Sequence, residues 1–360
     1  MEIVQDVIPH SRPTIDGSDA DAAARAVASE MLVGGPYTER FQAALAERLG
    51  APDTVAVSSG TAALHLALCA LGITPGDEVI LPAYVCVSPL LAVRYTGATP
   101  VLCDVDPTSS LMTADHILSV VTKRTKAVIV VHLFGRTAPM DDIMTLAKDR
   151  GLFVVEDCAQ AVGAEYQKRP AGTWGDAAVF SFYATKVITT GQGGMLTSPK
   201  QEITDIARDL IHYDHRDDGV VRYNYRMTDI QAALGLSQLS RLDRFLDRRR
   251  AIAGHYREAC VTAGIEPPPE RQGREDIHYR FVIQTSGITP SVARDCFRAL
   301  GIHAERPVYA PLFHYTKSTP LPGASSAFER NISIPIYPSL PDDSVAKIID
   351  ALNPCITEES

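Results

Sequence analysis

No stretch of the chain reaches the ~18 apolar residues that a membrane-spanning helix needs. The opening segment, MEIVQDVIPHSRPTID, has neither the basic n-region nor the apolar h-region of a secretory signal. The cytoplasm is therefore the expected location. Basic charge is in short supply as well: 34 Lys and Arg stand against 43 Asp and Glu, a formal net charge of −9. That leaves no electrostatic footprint for nucleic acid or an anionic membrane, both of which are bound through a basic surface that releases counterions. A small-molecule partner fits better. There is no C-x-x-C pair to suggest a zinc site or a redox motif. The seven cysteines, Cys69, Cys86, Cys103, Cys158, Cys260, Cys296 and Cys355, are odd in number and scattered, and read as reduced thiols packed as small hydrophobes. Internal repeats and low-complexity segments are absent too.

What is present is ordinary globular composition, 46% hydrophobic and 21% charged, in 360 residues, too long a chain for one simple core. Apolar runs of strand length recur with helix-like segments between them: TVAVSS (54–59), EVILPA (78–83), PVLCDV (100–105), AVIVVHLFG (127–135), LFVVED (152–157) and AAVFSFY (177–183). Continuous apolar runs joined by helical crossovers predict a mainly parallel sheet covered on both faces. Such sheets bind ligands beyond the C-terminal ends of their strands, where Ser58, Asp157 and Lys186 fall. From Met227 the pattern turns helical, as one amphipathic helix or a kinked pair, and Arg248, Arg249 and Arg250 alternate with Asp243 and Asp247 as on a solvated face. Pro267, Pro268 and Pro269 then precede HYRFVIQT (278–285), a helix near 291–300 and a last helix from Pro341. The expected division is a large domain over 1–250 and a small C-terminal domain over 251–360, with the boundary inside the long helix near Arg250.

Three segments carry chemistry. In SSGTAALHLALCALG (58–72) a strand end runs straight into a helix: Gly60 permits close backbone approach, and Ser59, Thr61 and the free N–H groups of the first turn can hold a dianionic phosphate. The plain alternative is a serine or threonine N-cap. LFVVEDCAQAVGAEY (152–166) puts Glu156, Asp157 and Gln160 at the end of a buried strand. A carboxylate there is costly unless paired, and a protonated pyridine nitrogen is one partner that would reward it; an Asp capping the next helix is the other reading. AAVFSFYATKVITTGQGG (177–194) holds a lysine between an apolar strand and a glycine-rich turn, a Schiff-base nucleophile if burial frees its lone pair and an ordinary exposed lysine if not. Phosphate cradle, acid and lysine arriving in that order, each at a strand end, together describe a pyridoxal-phosphate site.

The chain resembles the DegT-type sugar aminotransferases, a branch of the aspartate aminotransferase fold. The resemblance runs from Ile8-Pro9 through Gly34-Gly35-Pro36 to Pro335-Ile336-Tyr337-Pro338-Ser339-Leu340, and is carried by SGTAALHLAL, GDEVILPA, VHLFG, EDCAQAVGAEY, FSFYATK, GQGG and YNYRMTDIQAALGLSQL. It implies an α/β fold of fold type I, with a mainly parallel central sheet, helices on both faces and a smaller C-terminal α/β lobe, the 1–250 domain binding pyridoxal 5'-phosphate. It implies that Lys186 forms the Schiff base, Asp157 pairs with the pyridine nitrogen and Gln160 hydrogen-bonds the ring's 3-oxygen. Gly60, Thr61 and Ser181, with Ser59 beside them, would hold the phosphate, and Asn224 would reach the phosphate of a neighbouring subunit, making a homodimer with shared active sites.

The chain departs from the family at Cys86, where an aromatic residue usually stacks on the cofactor ring; Tyr84 is a poorly placed substitute. His132 and Tyr183 lie near the same strand ends, Tyr183 and His314 being candidates for touching substrate. The resemblance implies ping-pong transfer from an amino donor, L-glutamate, to a nucleotide-linked keto-deoxysugar, with a ketocyclitol or related biosynthetic ketone as the other acceptor, in antibiotic or polysaccharide biosynthesis. Relatives that act as pyridoxamine-dependent sugar dehydratases carry histidine at the Schiff-base position, where this chain has Lys186. A non-catalytic cofactor-binding regulator would show a lost lysine or acid, or an appended DNA-binding domain; neither sign is in the sequence.

Overall fold

The computed structural model describes residues 7–357, so the first six residues of the opening segment lie outside it. In chain order its strands are β1 (Thr54–Val57), β2 (Glu78–Pro82), β3 (Thr99–Cys103), β4 (Thr125–Val131), β5 (Phe153–Asp157), β6 (Glu165–Tyr166), β7 (Arg169–Pro170), β8 (Ala177–Ser181), β9 (Gly194–Thr197), β10 (Arg274–Glu275), β11 (Phe281–Gln284) and β12 (Asn331–Ile334). The main sheet runs β1-β9-β8-β5-β4-β2-β3. Its pairs from β3 through β8 are parallel, while β9 lies antiparallel to both β8 and β1.

Each strand feeds two cores by alternation. Val79 and Leu81, Ala127 and Ile129, Val155, Val179, Val55 and Val57 point to the face covered by the Gly60–Ala70 helix. Ile80, Val128, Val130 and Val154 point to the opposite face, where the Met140–Arg150 helix packs, and Ala56, Phe180 and Met195 meet Phe41 and Ala232 there. Burial on both faces explains why these strands read as unbroken apolar runs. β9 opens at Gly194, where a Cβ would lie 2.4 Å from the Ser59 carbonyl carbon. A glycine is what lets this strand close against the start of the Gly60–Ala70 helix.

The helical stretch after Met227 is a pair, Asp229–Leu239 and Leu242–Thr262. The second helix serves two cores: Leu242, Phe245 and Leu246 pack with β8 and β9, whereas Ile252, Ala253, Tyr256 and Cys260 pack with β11 and β12. Ile8 joins that second core, its N–H donating to the Gly301 carbonyl at 2.9 Å. The arginine run is not the uniform solvated face expected. Arg249 is 3% exposed, and its Nη1 donates to the Ile336 carbonyl at 3.0 Å and the His278 carbonyl at 3.2 Å; the guanidinium ties helix to lobe through backbone acceptors, which no charge pattern reveals. The expectation of reduced thiols throughout is also corrected. Cys296 and Cys355, 59 residues apart in sequence, form a disulfide joining the Pro290–Ala299 and Leu352–Ile356 helices. Cys69, Cys86, Cys103, Cys158 and Cys260 are free. Among the described residues no helix is long and apolar enough to cross a membrane.

Candidate active site

Two adjacent carboxylates at the end of β5 have opposite fates, because neighbouring strand residues face opposite sides of the sheet. Glu156 is fully buried yet paired: His132 Nε2 lies 2.9 Å away, and the N–H groups of Gly172, Trp174 and Gly175 donate to it at 2.9, 2.7 and 2.8 Å. Burial opposes its ionisation, but those donors and the His132 ring outweigh it and hold the carboxyl below its ordinary range. His132 Nδ1 accepts from the Ala138 N–H at 3.1 Å, so its proton sits on Nε2, toward Glu156. His132 is thus a buried, hydrogen-bonded histidine facing away from the cleft.

Asp157 faces the other way, into a cleft, and is 4% exposed. Its Oδ1 accepts the Ala159 N–H at 2.9 Å, a local turn contact, and no ion pair reaches it among the described residues. Burial pushes its carboxyl up from the ordinary range; the Ala159 N–H and the charge of Lys186 only partly offset it. A buried carboxylate with one backbone donor is a site prepared for a cation.

Across the cleft, β8 ends at Ser181 and the chain makes a tight turn in which the Lys186 N–H donates to the Tyr183 carbonyl at 2.8 Å. The Lys186 Nζ lies 5.0 Å from the centroid of the buried Tyr279 ring. Burial raises the Tyr279 phenol, but Lys186, Arg280 and the Thr185 hydroxyl draw it down, net, to about 8. Nothing in HYRFVIQT pointed to Tyr279 as the neighbour of this lysine.

The third wall is the start of the Gly60–Ala70 helix. Ser59 caps it, accepting the Ala62 N–H at 3.1 Å, and the Gly60 and Thr61 N–H groups have no intrahelical acceptor. Capping and anion binding are therefore compatible here. A Cβ at Gly60 would stand 2.8 Å from Ser181 Cβ, so glycine lets the Ser181 hydroxyl sit beside the helix terminus. The Thr61 hydroxyl donates to Ser88 Oγ at 3.1 Å; Ser88 had no signal in the sequence.

These walls enclose a cavity of about 360 Å³ lined by Ser59, Gly60, Thr61, Asp157, Ser181, Tyr183 and Lys186, with Cys86, Ser88 and Gln192. Anion cradle, cation-seeking carboxylate and amine face one space, which fits a phosphorylated pyridinium aldehyde. Gln160 stands just outside: its Oε1 accepts the Phe134 N–H at 2.8 Å, leaving its amide N–H groups as donors. Asn224 is exposed and outside the cleft of its own chain. His314 is exposed as well, edge-on to Phe313 and Phe328. Tyr84 is 1% exposed, packed against Phe134 and absent from the cleft wall, so it supplies no face for a ring.

The model of the DegT/DnrJ/EryC1/StrS aminotransferase family matches residues 13–353. The chain belongs to this family. It is 37% identical to the spore coat polysaccharide biosynthesis protein SpsC of Bacillus subtilis (strain 168), over 96% of each chain. It is 34% identical to GDP-perosamine synthase of Escherichia coli O157:H7, over 96% of this chain and 98% of that one. Its fold superposes with a TM-score of 0.92 on the PLP-form of the putative sugar aminotransferase Spr1654 from Streptococcus pneumoniae, at 27% identity and covering 97% of this chain and 98% of that one. The chain is thus a pyridoxal-phosphate-dependent sugar aminotransferase of fold type I.

Cys86 is exposed on the cleft wall where an aromatic face would be expected. Cys86→Phe should prolong cofactor retention during dialysis by about two- to tenfold, the gain of one aromatic pair. Unchanged or faster loss would show that the ring is held by other groups.

Proposed function

We propose that the chain moves an amino group from L-glutamate to a nucleotide-linked keto-deoxysugar by a ping-pong reaction in a homodimer with shared active sites. The observation that carries the reading is the meeting of Asp157, Lys186 and the Ser59–Gly60–Thr61–Ser181 cradle in one cleft. When bound, pyridoxal phosphate would supply the electron sink for the electron pair left on the donor's Cα once its proton is removed. Asp157 would hold the proton on the ring nitrogen, and its raised proton affinity and burial suit it to a cationic partner. The helix terminus, Ser59 and the Thr61 and Ser181 hydroxyls would hold the phosphate, the Thr61 hydroxyl turning from Ser88 to do so. The Gln160 amide would donate to the ring oxygen. Lys186 Nζ, set at the cleft wall, would remove the donor's Cα proton, because an amine held beside that carbon is a positioned base. Tyr183, exposed on the cleft wall, would meet the acceptor. The choice of a nucleotide-linked acceptor rests on the likeness to GDP-perosamine synthase.

Loading the purified protein with cofactor and adding L-glutamate should convert it to the amino form. A panel of nucleotide-linked keto sugars should then return it to the aldehyde form in stoichiometric yield. Recovery by simple 2-keto acids alone would contradict the acceptor class.

Asn224 supports the dimer. Its neighbours anchor the segment: the Tyr225 carbonyl accepts the Ser58 N–H at 2.6 Å, and the Tyr223 and Tyr225 rings stack at 5.2 Å beside His65. The exposed Asn224 is thereby presented outward, where a second chain would meet it. Asn224→Ala should weaken cofactor retention by about tenfold, the cost of a hydrogen bond to a charged group, with the dimer persisting in light scattering. A fully active monomer would contradict the shared site.

A further inference from the structure

A second cavity shares no lining residue with the cofactor cleft. Its volume is about 230 Å³. One flank comes from the loops after β3 and β4, with Ser110 and Arg136; the other comes from β11 and the start of β12, with Gln284, Arg330 and Asn331. Arg136 is 3% exposed. Among the described residues its guanidinium makes one long hydrogen bond, Nη1 to the Ser109 carbonyl at 3.4 Å, and no ion pair. Asp276, whose charge acts on it, lies instead 3.6 Å from Arg274 Nε. A guanidinium has five N–H donors in a planar fork, and most of those on Arg136 meet no acceptor among the described residues, in a place where an unpaired charge is expensive.

The surroundings add hydrogen-bonding partners. Asn331 Nδ2 donates to Ser110 Oγ at 3.1 Å, and Gln284 Nε2 donates to Asn331 Oδ1 at 3.3 Å and to the Pro107 carbonyl at 2.8 Å. These bonds fix a polar wall around Arg136. Arg330 adds a second positive charge at the exposed rim, with Glu266 the acidic group there. The cavity, about 230 Å³, has room for an oxyanion on a short carbon frame.

We propose that this cavity is a binding site for a small oxyanion, a phosphate or a short dicarboxylate, seated on Arg136 and bridging the main sheet to the β11–β12 lobe. The site is separate from the chemistry proposed for the cofactor cleft and stands whether or not that reading holds.

The test uses the cofactor-loaded enzyme after borohydride treatment, so that the phosphate cradle is filled and Lys186 is blocked. Titration calorimetry with inorganic phosphate, and separately with glutarate, should show saturable binding of one anion per chain. Binding of either one that Arg136→Gln weakens supports the site and names its source; binding that survives that change, as glutarate held in the donor's place would, counts against it. Arg136→Gln should weaken that binding at least about tenfold, as expected for loss of a charge-assisted contact, with the cofactor absorbance unchanged. Should that variant fail to fold, crystals of the parent soaked in selenate decide the matter, with an anomalous peak expected within hydrogen-bond distance of the Arg136 guanidinium. No saturable binding by either anion, affinity unchanged in Arg136→Gln, or no selenate peak at Arg136 would overturn the proposal.

Discussion

Lys186→Ala should lose multiple turnover by at least about 10³-fold, because the side chain is both the covalent attachment point and the proton-moving amine. It is the only lysine between Lys168 and Lys200, and it stands on the cleft wall with Asp157. Its ammonium group rests over Tyr279 and makes no side-chain hydrogen bond among the described residues, so removing it should leave the fold intact. The cradle of Gly60, Thr61 and Ser181 is untouched, and the variant should still take up pyridoxamine phosphate in equilibrium dialysis. Steady-state turnover and the visible spectrum of the loaded protein are the readouts. Turnover close to the parent's would remove Lys186 from the mechanism.

Asp157→Asn should separate holding the cofactor from using it. A neutral amide cannot keep the ring nitrogen protonated, and losing a charge partner of this kind costs ~2 kcal/mol or more, about thirtyfold or more in rate. Stability should move the opposite way in the cofactor-free protein. The folded Asp157 carboxyl is raised by burial above its unfolded value, so the unfolded chain gives up this proton first as pH rises. Stability is then lost as pH climbs from the unfolded value, near ~3.9, through the folded one. At neutral pH the cofactor-free Asp157→Asn variant should therefore melt no lower than the parent, and the difference should vanish in acid. Activity within about twofold of the parent would sink the assignment.

The six apolar runs were legible because strands covered on both faces need no alternation, and each run overlaps an observed strand of the main sheet. β9 was not: Gly194–Thr197 is four residues long and opens on a glycine whose purpose, close approach to Ser59, is visible only in three dimensions. The same limit hid the Cys296–Cys355 bridge, since partners 59 residues apart have no characteristic spacing, and it hid Arg249, whose acceptors are backbone carbonyls of distant segments. In the cleft, Ser59, Gly60, Thr61, Asp157, Ser181, Tyr183 and Lys186 could be named in advance because each sits at a strand end or helix start with a motif around it. Ser88 and Tyr279 have no such marker, and Asn224 and His314 lie outside the cleft of their own chain. The pairing of Glu156 with His132 and the near-isolation of Asp157 also needed the structure, because two adjacent acids look alike in sequence.

The most direct measurement of the central claim is peptide mapping by mass spectrometry after the cofactor-loaded protein is reduced with borohydride and digested. The added cofactor mass should fall on the single peptide containing Lys186, in a yield matching the loss of visible absorbance. Cofactor mass on any other lysine, or full reduction with no labelled peptide, would contradict the assignment of the cleft between Asp157 and Lys186 as the active site.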